Sequence, residues 1–431
     1  MKTQTTKVVP LICLAFLVSS CATTASQSAK NAGDDHLNPV KQLNTIPYPS
    51  GPFEGPQNYK VSDLLPQNMI FGKNHSIDRN VLNDGYLFLY TINSSYGKIR
   101  AVSTAMVYKR IQEINAIAKI ENKSKLKEFG GGVYEKGKDV VAGAYTLVTS
   151  PVDTVTNAVS GVGKIFKRVG ENVFEQSRSD AEDNRLKSVI GFAKTKRDYA
   201  YDMNIDVYSR NPLLQDSLDN LTWSGYSGNM AMALTISAFT GPITSSIGTT
   251  NLLNKVFRDT APADLRIMNR KKLQNMSVSE KTIDLFIENG MFTPKEQTTI
   301  VSSLDAMKST ADRSAFIKFA TRTNDPDVAF FRQRQAEMYS NFNRVYSPVS
   351  RFIGLGTFVG GLTSKNNLVL CLPLDHVLWT ADIAKAATFL SHQASSKLGL
   401  NKKQLVLAGT ASPLAKQKLK ALGWTISERM F

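Results

Sequence analysis

Asp375 and His376 stand just beyond Leu368-Val369-Leu370-Cys371-Leu372, a run that reads as a short buried strand. A carboxylate and an imidazole in contact can pass a proton between them. Gln404-Leu405-Val406-Leu407-Ala408 reads as a second strand, followed by Gly409, Thr410, Ala411 and Ser412 before a helix that starts at Pro413. Open parallel sheets gather ligand sites at the carboxyl ends of their strands, and the free N–H groups of a helix start can hold an anion. This spacing predicts that Asp375, His376, Thr410 and Ser412 share one edge, the raw material of a hydrolase-like site. The same residues have a plainer reading: Ser412 as an N-cap, Asp375 and His376 as a structural pair, and Cys371 as core.

Other motifs fall short of their chemistry. Gly161-Val162-Gly163-Lys164 carries Ala158 and Ile165 where a P-loop needs Gly and Ser or Thr. Gly354-Leu355-Gly356-Thr357-Phe358-Val359-Gly360 has one residue too many for a dinucleotide loop and precedes a strand, so its glycines read as small residues for close helix packing. Gly225-Tyr226-Ser227-Gly228 is followed by Asn229, not by the second Gly of a nucleophile elbow. His36, His75, His376 and His392 form no short cluster with Cys, so neither a metal nor another cofactor is called for.

The N-terminus carries a different kind of chemistry. Lys2 and Lys7 precede an apolar run, Val8 to Val18, too short to span a bilayer. Leu17-Val18-Ser19-Ser20-Cys21 then resembles the lipobox of bacterial lipoproteins. That resemblance covers residues 1–21. It implies lipidation of Cys21, cleavage before it, and insertion of the acyl chains into a membrane. Ala22 resembles the residue that follows the Cys in proteins sorted to the outer membrane. Of the three cysteines, Cys13 then leaves with the signal and Cys371 remains alone, with no partner for an intrachain disulfide. Several acyl chains anchor stably.

The elements that must position these residues follow from pattern. Residues 21–60 are rich in Ser, Thr, Asn, Gly and Pro and read as a flexible tether after the signal at 1–20. Residues 61–130 predict a β-hairpin over 86–104 and a helix with Val107, Ile111, Ile114 and Ala118 on its apolar stripe. Residues 131–176 hold a 3.5-residue repeat from Val141 to Val173 that includes Val162 and Phe166. It reads either as an amphipathic surface for lipid, with Lys164, Lys167 and Arg168 as its cationic end, or as a helical pair packed on its own domain. Residues 177–364 predict a helical domain, with inward Phe330, Phe331, Met338, Phe342 and Val345 on its last helix. Residues 365–431 predict a β-α-β-α-β unit with a parallel sheet, which the hairpin at 86–104 could extend. The fold class expected is α+β, mostly helical.

Lys and Arg number 52 against 36 Asp and Glu, a formal charge of +16. From Ile383 to Ser427 there are seven lysines and no acid, and Lys402, Lys403, Lys416, Lys418 and Lys420 form the candidate contact to a membrane or anion. Aromatics are not interleaved with them, which argues against stacked single-stranded nucleic acid. Behind a lipoprotein signal, such charge suits anionic lipid, an anionic envelope polymer or a protein partner in an envelope complex. The expectation is a lipid-anchored cell-envelope protein on the periplasmic face of the outer membrane, with a non-enzymatic binding or scaffolding role. The alternative is a periplasmic hydrolase-like enzyme acting through Asp375, His376 and Ser412.

Overall fold

A computed structural model describes residues 49–126, 161–167, 190–227, 251–400 and 402–431. Cys21, Arg168, the signal and tether up to residue 48, and most of the 3.5-residue repeat lie outside them. The fold is α+β and mostly helical, with an N-terminal sheet and a C-terminal one.

The N-terminal sheet joins β1 (Gln57–Lys60), β2 (His75–Ile77), β3 (Asn80–Asn83), β4 (Phe88–Ser94) and β5 (Gly97–Val102). β4 and β5 form the expected hairpin, in full register from Leu89–Val102 to Ser94–Gly97. Gly97 supplies the positive φ, +102°, that its turn requires. β2 and β3 share the other edge of β4, and β1 extends β3. Helix α3 (Thr104–Leu126), after the one-turn helices α1 (Val61–Leu64) and α2 (Gln67–Ile70), buries Val107, Ile111, Ile114 and Ala118, the stripe read from sequence.

The short α4 (Gly161–Lys167) carries the described piece of the repeat. Val162 and Phe166 are buried in the core beside the C-terminal sheet, with the Phe166 ring stacked on Tyr86 at 4.5 Å. Then come α5 (Ile190–Asp202), α6 (Pro212–Ser227), α7 (Asn251–Asp259), α8 (Pro262–Asn275), α9 (Glu280–Ile287), α10 (Pro294–Ala306), α11 (Ser314–Ala320) and α12 (Pro326–Val345). Local chemistry sets their starts. Thr293 and Glu296 close a reciprocal capping box around Pro294, and the Asp325 carboxylate accepts from the Asp327 N–H before α12. Phe330, Phe331, Met338 and Phe342 point inward as expected, but Val345, at the frayed end of α12, is 56% exposed.

The C-terminal sheet has the order β12-β10-β8-β7-β6. β8 (Leu368–Leu372), β10 (Lys403–Leu407) and β12 (Trp424–Ser427) are parallel, linked through α13 (Ala381–His392) and α14 (Pro413–Ala421) as read from sequence. Its extension departs from expectation. The partner of β8 is β7 (Phe358–Thr363), paired in turn with β6 (Val349–Leu355), and not the hairpin at 86–104. Residues 349–363 are therefore strand, not the end of a helical domain. Gly356, at φ +68°, opens the two-residue turn between them. Gly360 and Gly361 lie in β7, where a Cβ would stand 2.7 Å from Leu368 Cδ1 and 3.3 Å from the Tyr339 ring respectively. Close approach is their role, but across a sheet rather than between helices.

The period-2 pattern divides this sheet cleanly. Leu368, Leu370, Leu372, Leu405 and Leu407 face α13, α14 and α4, whereas Val369, Cys371 and Val406 face the α9–α12 side. Covered on both faces, its central strand is entirely buried. No helix of the described residues is long and apolar enough to cross a membrane.

Candidate functional site

Beyond the parallel strands lies a two-stranded ribbon, β9 (His376–Val377) paired in parallel with β11 (Thr410–Ala411). It brings the sequence-predicted residues to one edge and then assigns them separate tasks. Gly409 makes the approach possible, because a Cβ there would lie 1.8 Å from Asp375 O.

The Asp375 carboxylate reaches the N-terminal sheet. Its Oδ2 accepts from Phe88 N at 3.0 Å and from Thr104 N at 3.0 Å, the first N–H of α3. An anion at a helix start satisfies free donors and complements the helix dipole. Burial pushes the Asp375 carboxyl up to about 6, against the lowering effect of those hydrogen bonds, with nearby Asp84 adding to the rise. The seam continues with Asp375 N donating to Tyr86 O, Asn83 Nδ2 to His376 O and Leu378 N to Gly85 O.

His376 Nδ1 lies 2.7 Å from Thr410 Oγ1, and its half-buried ring is flanked by Phe88, parallel at 6.2 Å, and by Tyr59, edge-on at 5.6 Å. Burial lowers its pKa below the ordinary value, opposed by Glu54 and Glu428. The imidazole is therefore neutral at pH 7.

Ser412 caps α14 by accepting from Ala415 N at 3.0 Å, and its Oγ donates to Glu54 Oε2 at 2.5 Å. The same Glu54 oxygen accepts from Trp379 N, and Glu54 N donates to Trp379 O at 2.9 Å. A serine nucleophile needs a hydrogen bond to its base. Among the described residues the Ser412 side chain has its hydrogen bonds with Glu54 and Ala415, and the His376 ring with Thr410. The edge is thus a joint that fastens residue 54 and the N-terminal sheet to the C-terminal unit. Glu54 escaped the sequence reading because only tertiary docking connects it to Ser412.

The lysines divide as well. Lys403 is buried, with its Nζ 3.2 Å from Ser395 Oγ, and burial lowers its pKa. Lys416 pairs with Glu428 at 2.9 Å. Lys402 and Lys420 are exposed, and Lys418 Nζ lies 3.4 Å from where a Cβ of Gly51 would stand. Lys164 and Lys167 are on α4. Cys371 is buried, and burial drives its thiol pKa well above the ordinary value. Among the described residues no group of three His, Cys, Asp or Glu gathers as metal ligands.

No family model, no curated protein and no solved structure matches this chain.

Proposed function

We propose that the protein is a lipid-anchored component of the bacterial cell envelope, held at the periplasmic face of the outer membrane through acylated Cys21. Its folded body binds or organises other envelope material rather than catalysing a reaction. The observation that carries this reading is the Glu54 joint. The chain following the tether runs past Lys418 and is fixed at once to Trp379 and Ser412. Residues expected of a hydrolase are engaged in that joint and in capping α3. An anchor at Cys21 would bring the body to the membrane, where exposed cations such as Lys402 and Lys420 favour anionic headgroups by about 1 kcal/mol each.

Fractionation of cells producing the wild type and Cys21→Ser tests the reading. The wild type should sediment with outer membranes and resist high-salt extraction. Cys21→Ser should not sediment, or should retain its signal. Identical processing and sedimentation of the two overturns it.

A further inference from the structure

Residues of α5, the loop after it, α7 and the start of α10 line a solvent-open cleft. Its charged lining is Arg197, Asp206, Arg258 and Lys295, with Tyr201 and Phe257 as aromatic walls. Two of these charges are already satisfied. Asp206 accepts Lys109 Nζ at 2.9 Å, and Arg258 makes a two-point contact with Asp259 at 2.7 and 3.1 Å.

Arg197 and Lys295 are not. Arg197 is only 8% exposed, and its guanidinium donates through Nε to Arg258 O at 2.9 Å. Neither it nor Lys295 has an ion-pair partner among the described residues. The Tyr208 hydroxyl, within electrostatic reach of Arg197, is buried without a hydrogen-bond partner there. Lys295 Nζ lies over the Phe257 ring at 5.7 Å, and the Arg258 guanidinium over Tyr201 at 4.5 Å. A desolvated cation without a counter-ion is costly. Arg197 and Lys295 line the same cleft, and the only carboxylate in its lining, Asp206, has Lys109 as its hydrogen-bonded partner and Lys295 as a second, more distant cation.

We infer that this cleft is a binding site for a phosphate group. Two cations match a phosphate dianion in charge, and the planar fork of a guanidinium matches its oxygens. Asp206 is ion-paired with Lys109, which offsets its charge, so Lys295, acting on it from farther away, keeps its own ammonium available to a ligand. The phosphate can be free or can belong to a lipid headgroup.

The test is calorimetric titration of the full chain, purified in a non-ionic detergent at low salt. One arm adds inorganic phosphate; the other adds detergent micelles doped with phosphatidylglycerol. Acetate is the control anion. Wild type should bind in at least one arm, and the arm identifies the source. Lys295→Ala, which removes a half-buried side chain with no ion pair among the described residues, should weaken binding roughly tenfold or more, the loss of about one charge-assisted contact. Arg197→Lys should weaken it too, while an unchanged thermal midpoint shows that the fold survives. Binding in neither arm, undiminished binding by Lys295→Ala, or equal binding of acetate overturns the proposal.

Discussion

The Glu54 carboxylate accepts a 2.5 Å hydrogen bond from Ser412 Oγ, although 358 positions separate the two residues. The same oxygen holds Trp379 N, so one side chain closes the N-terminal segment onto both the stretch that follows β9 and the start of α14. Glu54→Ala leaves both donors without that acceptor, at a cost of about 1–2 kcal/mol at this half-exposed position. Residues 49–56 should then become sensitive to limited proteolysis before the rest of the body unfolds. Unchanged cleavage rates would show that the joint does not fasten the segment.

Asp375 gives the fold a pH signature. Its folded-state pKa, about 6, lies above the ordinary 3.8. The native state therefore holds a proton that the unfolded chain has lost, and the contribution to stability is full below about pH 4 and disappears as pH rises through 6. Glu113 and Asp206, both held below their ordinary values, act in the opposite direction. The informative quantity is thus the stability of wild type minus that of Asp375→Asn, from urea unfolding between pH 4 and 7. It should decline across that window and level off above it. A flat difference would mean that the carboxyl titrates as it does in solvent.

Lys109 and Asp206 form a buried pair, with side chains 17% and 5% exposed. Burial alone would raise the Asp206 pKa, but Lys109 and Lys295 together hold it well below the carboxylate range. Asp206→Asn takes from Lys109 its hydrogen-bonded carboxylate, leaving Glu113 and Glu296 as the nearest compensation, and should destabilise the protein by about 2–3 kcal/mol. Adding Lys109→Met should restore part of that loss, because a buried pair replaced by apolar volume is often tolerated. If the double variant is no more stable than the single one, the pair does not account for the loss.

Phe166 separates the two readings of the 3.5-residue repeat. Its ring stacks on Tyr86 and lies 5.3 Å from Phe358. A packed side chain predicts that Phe166→Ala costs about 3–5 kcal/mol in chemical unfolding. A lipid-adsorbing side chain predicts weaker vesicle binding with stability unchanged. The former is expected for this stretch.

Elements with a strong local period were legible: the α3 stripe and the alternation of β8, α13, β10, α14 and β12. The pair β6 and β7 was not, because Gly354, Gly356, Gly360 and Gly361 thin the alternation that marks a strand, and their purpose depends on Leu368 and Tyr339 elsewhere in the chain. The strand-end rule placed Thr410 beside His376 correctly. It could not reveal that Asp375 is occupied by α3, since the donors, Phe88 N and Thr104 N, lie 287 and 271 positions away. The cleft around Arg197 draws on three separate segments, 197–207, 254–258 and Lys295, which only tertiary packing brings together.

Gly409 is where the ribbon β9–β11 is most exacting. A Cβ would stand 1.8 Å from Asp375 O and 2.5 Å from its carbonyl carbon, backbone atoms that no rotamer change can move. That backbone is also pinned, by Gly409 N to Leu374 O at 2.9 Å and Thr410 N to Asp375 O at 3.0 Å. Gly409→Ala must separate the two loops and break these bonds, so it should cost at least about 3 kcal/mol. Gly399 is the control: its φ is +63°, yet nothing lies within 4 Å of its Cβ position. Gly399→Ala carries only the left-handed backbone cost of about 1–2 kcal/mol. Equal losses at the two sites, measured by urea unfolding, would show that the close approach at Gly409 costs no more than a left-handed backbone does. A larger loss at Gly409 ties the geometry of the joint to that single missing side chain.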